Sequence, residues 1–297
     1  MILSIITATY NRDYSLPQIY SSLLANSTVI EFEWIIVDDG STDKTEELVK
    51  GWLADEKIRI VYVKQANGGK TRAIINGFSQ KPKGDFTIVL DSDDYLTNEF
   101  FSNLREELPK LDKKLLGIIG LKGTLDGNLI GGKFVSTFST YLDLYFGSNK
   151  THGDKLFVIR TDEYKESFKL PYEGEKFIPD NIPYLYMNDK GKYLCVNKIF
   201  YKGDYLADGM TSNVLRFASK NIRGYIYEKQ LLQQTSISLK EKIKNEAKYI
   251  SYSLGADYSW SRVVKDSNDK IVTGILLFPV SILFRKRIKA IKKFRKQ

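Results

Sequence analysis

The sequence has very few of the side chains that thiol and imidazole chemistry require. Among its 297 residues it contains one cysteine, Cys195, and one histidine, His152. A single cysteine excludes an internal disulfide and a cysteine-based zinc site, and a single histidine excludes a site built from two imidazoles. The carboxylates of Asp and Glu are therefore the first candidates for catalytic and metal-binding groups.

Two nucleotide-binding motifs and a leader sequence are also missing. No G-x-G-x-x-G follows the first apolar segment, and no G-x-x-x-x-G-K-[S/T] occurs anywhere, which excludes a dinucleotide fingerprint and a P-loop. Residues 1–13 have no basic n-region, and their apolar run breaks at Thr7. We therefore expect no signal peptide and a protein that stays on the cytoplasmic side.

The net charge of +9 comes almost entirely from one short segment. Residues 285–297, RKRIKAIKKFRKQ, contain eight Lys or Arg and no acid, so the rest of the chain is close to neutral. A nucleic-acid-binding domain more often spreads its basic residues over a folded face. We therefore expect no nucleic-acid partner.

The first ninety residues predict a Rossmann-like α/β fold with a mainly parallel sheet. Short, continuous apolar segments predict strands at 2–8, 33–38, 58–64 and 85–91, and helix-length segments lie between them at 15–27, 42–54 and 69–80. Such alternation with short connections is typical of right-handed βαβ units. Further strands are expected near 115–122, 155–160 and 193–201, and helices at 182–190 and 221–253. We place a catalytic domain at 1–215 and a helical C-terminal extension at 216–297.

Polar and acidic residues follow three of these predicted strands. The segments TATYN at 7–11, VDDG at 37–40 and LDSD at 90–93 stand where strands end, and ligands of open parallel sheets bind outside those carboxyl ends. Asp91 and Asp93 are two residues apart on extended backbone, so their carboxylates leave the same face and suit Mg²⁺ or Mn²⁺. The alternative is that Ser92, Asp93 and Asp94 cap the following helix.

Four segments within the first 110 residues resemble, in order and spacing, the family 2 glycosyltransferases of the GT-A fold. They are SIITATYNR at 4–12, WIIVDDGSTDKT at 34–45, NGGKTRAIINGF at 67–78 and DFTIVLDSDDYL at 85–96. A looser match, YEGEKFIPDNIPY at 172–184 and YLADGMTSN at 205–213, is similar to bacterial members that build capsule or exopolysaccharide.

The resemblance implies a transferase that inverts the anomeric centre and moves a sugar from a nucleotide-sugar donor, with UDP favoured, to a saccharide or lipid-linked saccharide acceptor. It implies Mn²⁺ or Mg²⁺ held by Asp93, with Asp91 binding either the metal or the ribose and donor sugar. Asp39 is expected to accept from the base and Tyr10 to stack on it. The other candidate substrate-binding residues are Thr7, Thr9, Arg12, Lys70 and Ser92. Tyr10 as a turn aromatic and Lys70 as a solvated residue remain alternatives.

The general base is the least defined part of the predicted site. Relatives carry an acidic pair before a helix in this region, whereas here Glu175 is followed by Lys176. Asp180, at the expected start of the helix at 182–190, is the first candidate, and Glu175 is the second. An N-cap role for Asp180 is the alternative. His152 is a further candidate for contact with the metal or the acceptor.

The apolar run at 271–284 and the basic segment after it predict membrane attachment without a membrane-spanning helix. Fourteen residues of helix cover about 21 Å, less than a hydrocarbon core of about 30 Å. Continued as a helix, the segment would place Phe284, Ile288, Ile291 and Phe294 on one arc facing anionic lipid. The alternative is a helix that packs on the protein body or on a partner subunit in a homo-oligomer.

Two other functions compete with glycosyl transfer. A sugar nucleotidyltransferase shares the broad fold, but it would normally have a Gly-rich G-x-G-x-R loop where this chain has TATYNRD. A membrane-bound binding or assembly subunit with a degenerate site is the other alternative, and the intact acids at the strand ends argue against it.

Overall fold

The computed structural model describes residues 2–203 and 214–296 of the chain. The chain divides into two compact units, one formed by Met1–Leu170 with Tyr186–Asp204 and the other by Pro171–Leu185 with Tyr205–Gln297. The boundary that the sequence suggests near residue 215 stays a prediction. The looser sequence motif at 205–213 lies outside the described residues.

The first unit begins with the predicted alternation of strands and helices. Its elements are β1 Ile2–Thr9, α1 Leu16–Leu24, β2 Glu31–Asp38, α2 Thr45–Asp55, β3 Ile60–Lys64, α3 Lys70–Ser79 and β4 Phe86–Val89. Strand β1 lies between β2 and β4, and β3 lies beyond β2, all in parallel. The prediction of a parallel, Rossmann-like half-sheet is confirmed.

The remaining strands extend this sheet with mixed direction. The elements are β5 Tyr95–Leu96, α4 Phe100–Glu107, β6 Leu115–Gly123, β7 Leu129–Ile130, β8 Phe138–Ser139, α5 Tyr141–Tyr145, β9 Lys155–Arg160, α6 Thr161–Ser167, α7 Ile182–Met187 and β10 Lys192–Lys202. The sheet order is β3-β2-β1-β4-β9-β6-β10-β5. Strand β9 is antiparallel to β4 and β6, whereas β6 and β10 are parallel.

An aromatic stack holds α1 and α2 against one face of the sheet. Tyr20 of α1 stacks on Trp52 of α2 with ring centroids 4.4 Å apart, and Trp52 in turn stacks on Trp34 of β2 at 5.7 Å. Trp34 is fully buried, and its indole N–H donates to the hydroxyl of Thr7 in β1. Burying three large aromatic side chains stabilises this region by several kcal/mol, at about 1.5–3 kcal/mol for each large side chain.

The second unit is built mainly from six helices in the described part of its chain. They are α8 Val214–Lys220, α9 Ile222–Gln233, α10 Leu239–Gly255, α11 Trp260–Asp266, α12 Lys270–Leu283 and α13 Arg285–Arg295. The single helical stretch predicted at 221–253 is two helices, because Ser238 caps a new start by accepting from the Glu241 N–H. The core of this unit includes Tyr249, Ile250 and Val263.

The basic helix α13 packs on this core. Ile288 is nearly buried and Ile291 is fully buried, and Gly255 of α10 leaves no room for a Cβ beside the Ile291 side chain. The predicted lipid-facing arc is therefore wrong for Ile288 and Ile291, because burial against α10 offers those side chains a protein environment. Among the described residues, no helix is both long enough and apolar enough to cross a bilayer.

Candidate active site

Three adjacent parallel strands end together and place their following loops at one edge of the sheet. Thr9 at the end of β1 pairs in register with Asp38 at the end of β2. The N–H of Leu90, just after β4, donates to the Ile6 carbonyl of β1. The loops that begin at Tyr10, Asp39 and Asp91 are therefore neighbours, as the strand alignment requires.

The first two loops are joined by hydrogen bonds of side chains that the sequence analysis did not identify. Asn11 has a left-handed backbone with φ of +52°. Its N–H donates to the Ser41 hydroxyl at 2.9 Å, and its Oδ1 accepts from the Thr42 N–H at 2.8 Å. The Arg12 N–H donates to the Thr45 hydroxyl at 3.2 Å. These bonds fix the backbone that carries Tyr10, whose ring is exposed.

Asp39 is buried and organises the loop that leads into α3. Its Oδ1 accepts from the Gln65 side chain at 2.7 Å and from the Gly68 N–H at 2.8 Å. Its Oδ2 accepts from the Gly69 N–H at 2.7 Å. Gly69 precedes α3 with φ of +95°, a backbone that favours glycine. Since a carboxylate offers about four acceptor positions, these three bonds leave room for one more donor.

The carboxylate of Asp91 is paired with a lysine. Lys70, the first residue of α3, places its Nζ 2.8 Å from Asp91 Oδ1. Next to it, the Ser92 carbonyl accepts from the Ser15 hydroxyl at 2.7 Å, and the Asp94 N–H closes a turn onto the Asp91 carbonyl. The turn is followed by β5 rather than by a helix. Ser92, Asp93 and Asp94 therefore do not cap a following helix.

Asp93 lies in the same turn with its side chain half-buried. Burial, followed by the nearby negative charge of Asp91, raises the pKa of Asp93, while the charges of Lys70 and Arg12 oppose that rise. A divalent cation bound beside Asp91 and Asp93 would offset the repulsion that raises the pKa of Asp93. Within residues 2–203 and 214–296 no cluster of three or more potential metal-ligating side chains (His, Cys, Asp or Glu) exists.

The third acid of this segment, Asp94, has a different partner. It is buried together with Lys122 of β6, whose Nζ lies 3.0 Å from Asp94 Oδ1 and 5.2 Å from the ring centre of Tyr201. Burial raises the pKa of Asp94, and Lys122 counteracts the rise. Asp94 therefore anchors the turn to the sheet. Asp91 and Asp93 are the carboxylates left at the edge where β1, β2 and β4 end, which we call the rim.

The two threonines of β1 lie deeper than the sequence suggested. Thr7 is fully buried, and its hydroxyl accepts from the Trp34 indole, so it faces the core rather than a pocket at the rim. Thr9 is also buried, but its Oγ1 has no hydrogen-bond partner among the described residues. Leaving a buried hydroxyl unpaired costs about 1–3 kcal/mol. A bound ligand would relieve that cost at Thr9.

Glu175, in the second unit, is engaged in holding a helix. It is buried, and its carboxylate accepts from the Arg223 N–H at 2.8 Å and from the Gly224 N–H at 3.1 Å. These are free N–H groups of the first turn of α9, where a negative charge also interacts favourably with the helix dipole. The Arg223 side chain lies 3.4 Å from the same carboxylate. This arrangement gives Glu175 a structural role.

Asp180 and His152 are both exposed. Asp180 lies in the turn before α7, where the Ile182 N–H donates to the Pro179 carbonyl, and Asn181 is the residue that directly precedes the helix. His152 contributes its backbone carbonyl, which accepts from Lys155 Nζ at 2.6 Å and from the Gly132 N–H at 3.1 Å. Asp180 is therefore open to solvent, whereas the described bonds of His152 involve its backbone.

A mainly parallel sheet with acidic loops at its carboxyl edge is an α/β arrangement in which ligands bind at that edge. Residues 4–127 match the family described as Glycosyl transferase family 2. This part of the chain is therefore similar to the family 2 glycosyltransferases.

Relatives with curated descriptions match this region and, in one case, most of the chain. An undecaprenyl-phosphate 4-deoxy-4-formamido-L-arabinose transferase of Photorhabdus laumondii is 30% identical over 183 residues, which cover 59% of this chain and 54% of that protein. The minor teichoic acid biosynthesis protein GgaB of Bacillus subtilis is 24% identical over 279 residues, 90% of this chain and 30% of that protein. The matches thus span about half or less of these relatives, whose activities carry over only as proposals.

Solved structures show the same fold. S. aureus TarS 1-349 in complex with UDP-GlcNAc has a TM-score of 0.60 at 19% identity and covers 100% of this chain and 91% of its own. The mannosyltransferase PcManGT from Pyrobaculum calidifontis, in complex with GDP-Man and Mn²⁺, has a TM-score of 0.57 at 12% identity and covers 99% and 86%. At these identities the likeness establishes the GT-A fold.

Proposed function

We propose that this protein is an inverting, metal-dependent glycosyltransferase of cell-surface polysaccharide synthesis. It would move a sugar from a nucleotide donor, with UDP favoured, to a saccharide or lipid-linked saccharide. The observation that carries this proposal is the convergence of Asp39, Asp91 and Asp93 at the carboxyl ends of adjacent parallel strands, within the region similar to the family 2 glycosyltransferases. The UDP-GlcNAc bound to the structurally similar TarS supports the choice of donor class.

The donor's nucleotide would lie over the loops that follow β1 and β2. The exposed ring of Tyr10 is available for stacking on the base. Asp39 retains one acceptor position for a base N–H after its three bonds to the loop before α3. The unpartnered hydroxyl of Thr9 and the guanidinium of Arg12 would supply further polar contacts. Thr7 is not part of this proposal because it is fully buried beside the Trp34 indole.

Asp93 and Asp91 would hold Mn²⁺ or Mg²⁺ together with the donor's diphosphate. A bound divalent cation stabilises the negative charge that develops on the departing diphosphate. Lys70 brings a second positive charge to the same edge through its contact with Asp91, and Arg12 acts on Asp93 from the β1 side. Positive charge would thus reach the departing diphosphate from two directions.

Transfer would follow a direct displacement. The acceptor hydroxyl oxygen attacks the anomeric carbon, the bond from that carbon to the diphosphate oxygen breaks, and the hydroxyl proton passes to a carboxylate of the protein. Asp180 is the preferred acceptor of that proton because its side chain is exposed, whereas Glu175 is buried and holds the first turn of α9. Glu175 is the second candidate. The reaction would take place at an anionic membrane surface on its cytoplasmic side.

The test is turnover of a donor panel by the full chain. UDP-GlcNAc, UDP-glucose and GDP-mannose are incubated with Mn²⁺, with Mg²⁺ and with EDTA, and release of free nucleotide diphosphate and of sugar is followed. We expect slow hydrolysis of at least one UDP-sugar that requires a divalent cation. Nucleotide triphosphate formation from pyrophosphate and a UDP-sugar would instead identify a nucleotidyltransferase. Donor binding without any turnover, with or without saccharide acceptors, would favour a binding subunit.

A further inference from the structure

Helix α12 presents a continuous apolar stripe to solvent. Its five large exposed side chains are between 56% and 78% accessible, namely Ile271, Ile275, Phe278, Ile282 and Leu283. Four of them are spaced four, three and four residues apart, so they lie along one face of the helix. Isolated apolar residues on a surface are ordinary, but a contiguous row marks an interaction site.

The opposite face of α12 fixes this orientation. Thr273, Leu277 and Val280 are buried in the core of the second unit. The Thr273 hydroxyl donates to Glu246 of α10, which also accepts from the Gln233 side chain of α9 at 2.8 Å. The helix is therefore held to α10, and turning its apolar stripe inward would break this buried network.

An exposed tryptophan extends the stripe. Trp260, the first residue of α11, is half exposed, and its ring centre lies 6.3 Å from that of Phe278. An indole has an apolar ring and a polar N–H, a combination favoured at the boundary between lipid chains and headgroups.

Positive charge continues from the end of the stripe. Residues 270–297 contain no Asp or Glu. In α13, Lys292 and Arg295 pair with Asp257, whereas Arg285, Lys286, Lys289 and Lys293 are exposed and have no acidic partner among the described residues. The buried face of α13 thus directs these four cations outward.

We propose that the α12 stripe, with Trp260 and the exposed cations of α13, docks on an anionic lipid surface. The apolar side chains would enter the boundary between headgroups and acyl chains, and the lysines and arginine would contact lipid phosphates. A second copy of this chain is a poorer occupant, because it would add its own basic segment with no acid in 270–297 to offset the repulsion. The inference concerns the second unit alone and stands or falls independently of sugar transfer.

Vesicle co-sedimentation with the full chain tests the proposal. Vesicles of phosphatidylcholine and phosphatidylglycerol in equal parts are compared with phosphatidylcholine alone at low and physiological salt. We expect binding to the anionic vesicles only, with a loss of at least about tenfold in the Ile275→Ser/Phe278→Ser/Ile282→Ser variant. The Lys286→Gln/Lys289→Gln/Lys293→Gln variant should lose the part of the vesicle binding that decreases as salt rises. The matched control is Leu239→Ser/Ile243→Ser, which removes two exposed apolar side chains from α10 and should bind like the unaltered chain.

Trp260 provides a second measurement that needs no variant of the stripe. The other two tryptophans, Trp34 and Trp52, are buried in the first unit, so brominated acyl chains should quench Trp260 selectively, and Trp260→Phe should abolish the quenching. Absence of binding to anionic vesicles at low salt, or no quenching of bound protein, would overturn the proposal. The last check is the oligomeric state without lipid, measured by sedimentation equilibrium. If the chain is a dimer and the stripe substitutions make it a monomer, this face binds a second copy of the chain instead of lipid.

Discussion

The ammonium group of Lys70 lies 2.8 Å from the carboxylate of Asp91 and joins the first residue of α3 to the residue that follows β4 by two positions. The segment before Lys70 is held in turn by Asp39, which accepts from the N–H groups of Gly68 and Gly69. The acids that follow β2 and β4 are thus both bound to the residues at the start of α3. The charge of the rim is partly balanced by the protein itself before any cation or donor binds.

Replacing Lys70 should therefore change the affinity for free metal ion. In Lys70→Met, Asp91 loses its partner and the two carboxylates of the turn offer more negative charge, so Mn²⁺ should bind more tightly, by about 1 kcal/mol or a factor of about five. Titration calorimetry with MnCl₂ measures this. Lys83→Met, which removes an exposed lysine of the same unit, is the control and should bind Mn²⁺ as the unaltered chain does. Equal or weaker Mn²⁺ binding by Lys70→Met would show that the ion pair does not set the charge of the site.

Asp93→Ala should abolish the metal dependence of nucleotide binding. The reason is that Asp93 and Asp91 are the two carboxylates left facing the rim, since Asp94 is paired with Lys122. The measurement is the UDP dissociation constant in Mn²⁺ and in EDTA, for this variant and for Asp55→Ala at the exposed end of α2. The unaltered chain and the control should bind more tightly in Mn²⁺. An unaltered chain that binds UDP equally well in both conditions would contradict metal participation.

The parallel half of the fold was predictable because its strands are buried on both faces and separated by helices of ordinary length. The direction of β9 was not, since KLFVIR at 155–160 has the same pattern in either direction, and only pairing with β4 and β6 decides it. Strands β5, β7 and β8 have two residues each, too few to leave a periodic signal.

The site was predictable as far as it depends on strand ends. Asp39, Asp91 and Asp93 follow buried strands, and alignment of those strands brings them to one edge. The partners of individual side chains were not predictable, because they come from distant parts of the sequence. Lys122 pairs with Asp94 from β6, and Glu175 caps a helix that begins at Ile222. These contacts distinguish acids that look alike in the sequence.

Asp39→Ala should weaken both the fold and nucleotide binding. It removes the acceptor for three donors, including two backbone N–H groups before α3, so we expect a loss of about 1–3 kcal/mol in the free energy of unfolding and a similar loss in UDP binding. Gln65→Ala removes only one of those donors and should cost less than about 1 kcal/mol in stability. Urea unfolding and UDP titration measure the two effects. A folded Asp39→Ala protein with unchanged UDP affinity would contradict the proposed contact with the base.

Asp180 and Glu175 should respond differently to loss of charge. Asp180→Asn should leave donor binding unchanged but slow transfer by at least about 100-fold, as expected when a general base is lost. Glu175→Ala should lower stability by about 1–3 kcal/mol, because two N–H groups of α9 lose their acceptor. Thermal melts, donor titrations and transfer rates are compared for both. If Glu175→Gln retains stability and loses transfer while Asp180→Asn does not, then Glu175 is the base.

The network around Glu246 should make the stability of the second unit depend on pH. Glu246 receives hydrogen bonds from Gln233 of α9 and from Thr273 of α12. Burial is the largest influence on the pKa of Glu246 and raises it. The two hydrogen bonds lower this pKa by less, and the charge of Asp269, the weakest influence, raises it. An acid with a raised pKa holds its proton in the folded state at pH values where the unfolded chain has already released it. In that window the folded state binds more protons, so stability falls as pH rises.

The expected window begins near the ordinary pKa of glutamic acid, about 4.3, and extends upward to the raised value. The thermal midpoint of the full chain should therefore decline with rising pH across that range, and Glu246→Gln should flatten the decline because its amide cannot ionise yet can still bond to both partners. Glu173→Gln, an exposed site in the same unit, should leave the profile unchanged. A Glu246→Gln protein that follows the pH profile of the unaltered chain would mean that Glu246 ionises in the folded state as readily as in the unfolded one, and that the α9–α10–α12 network tolerates its charge.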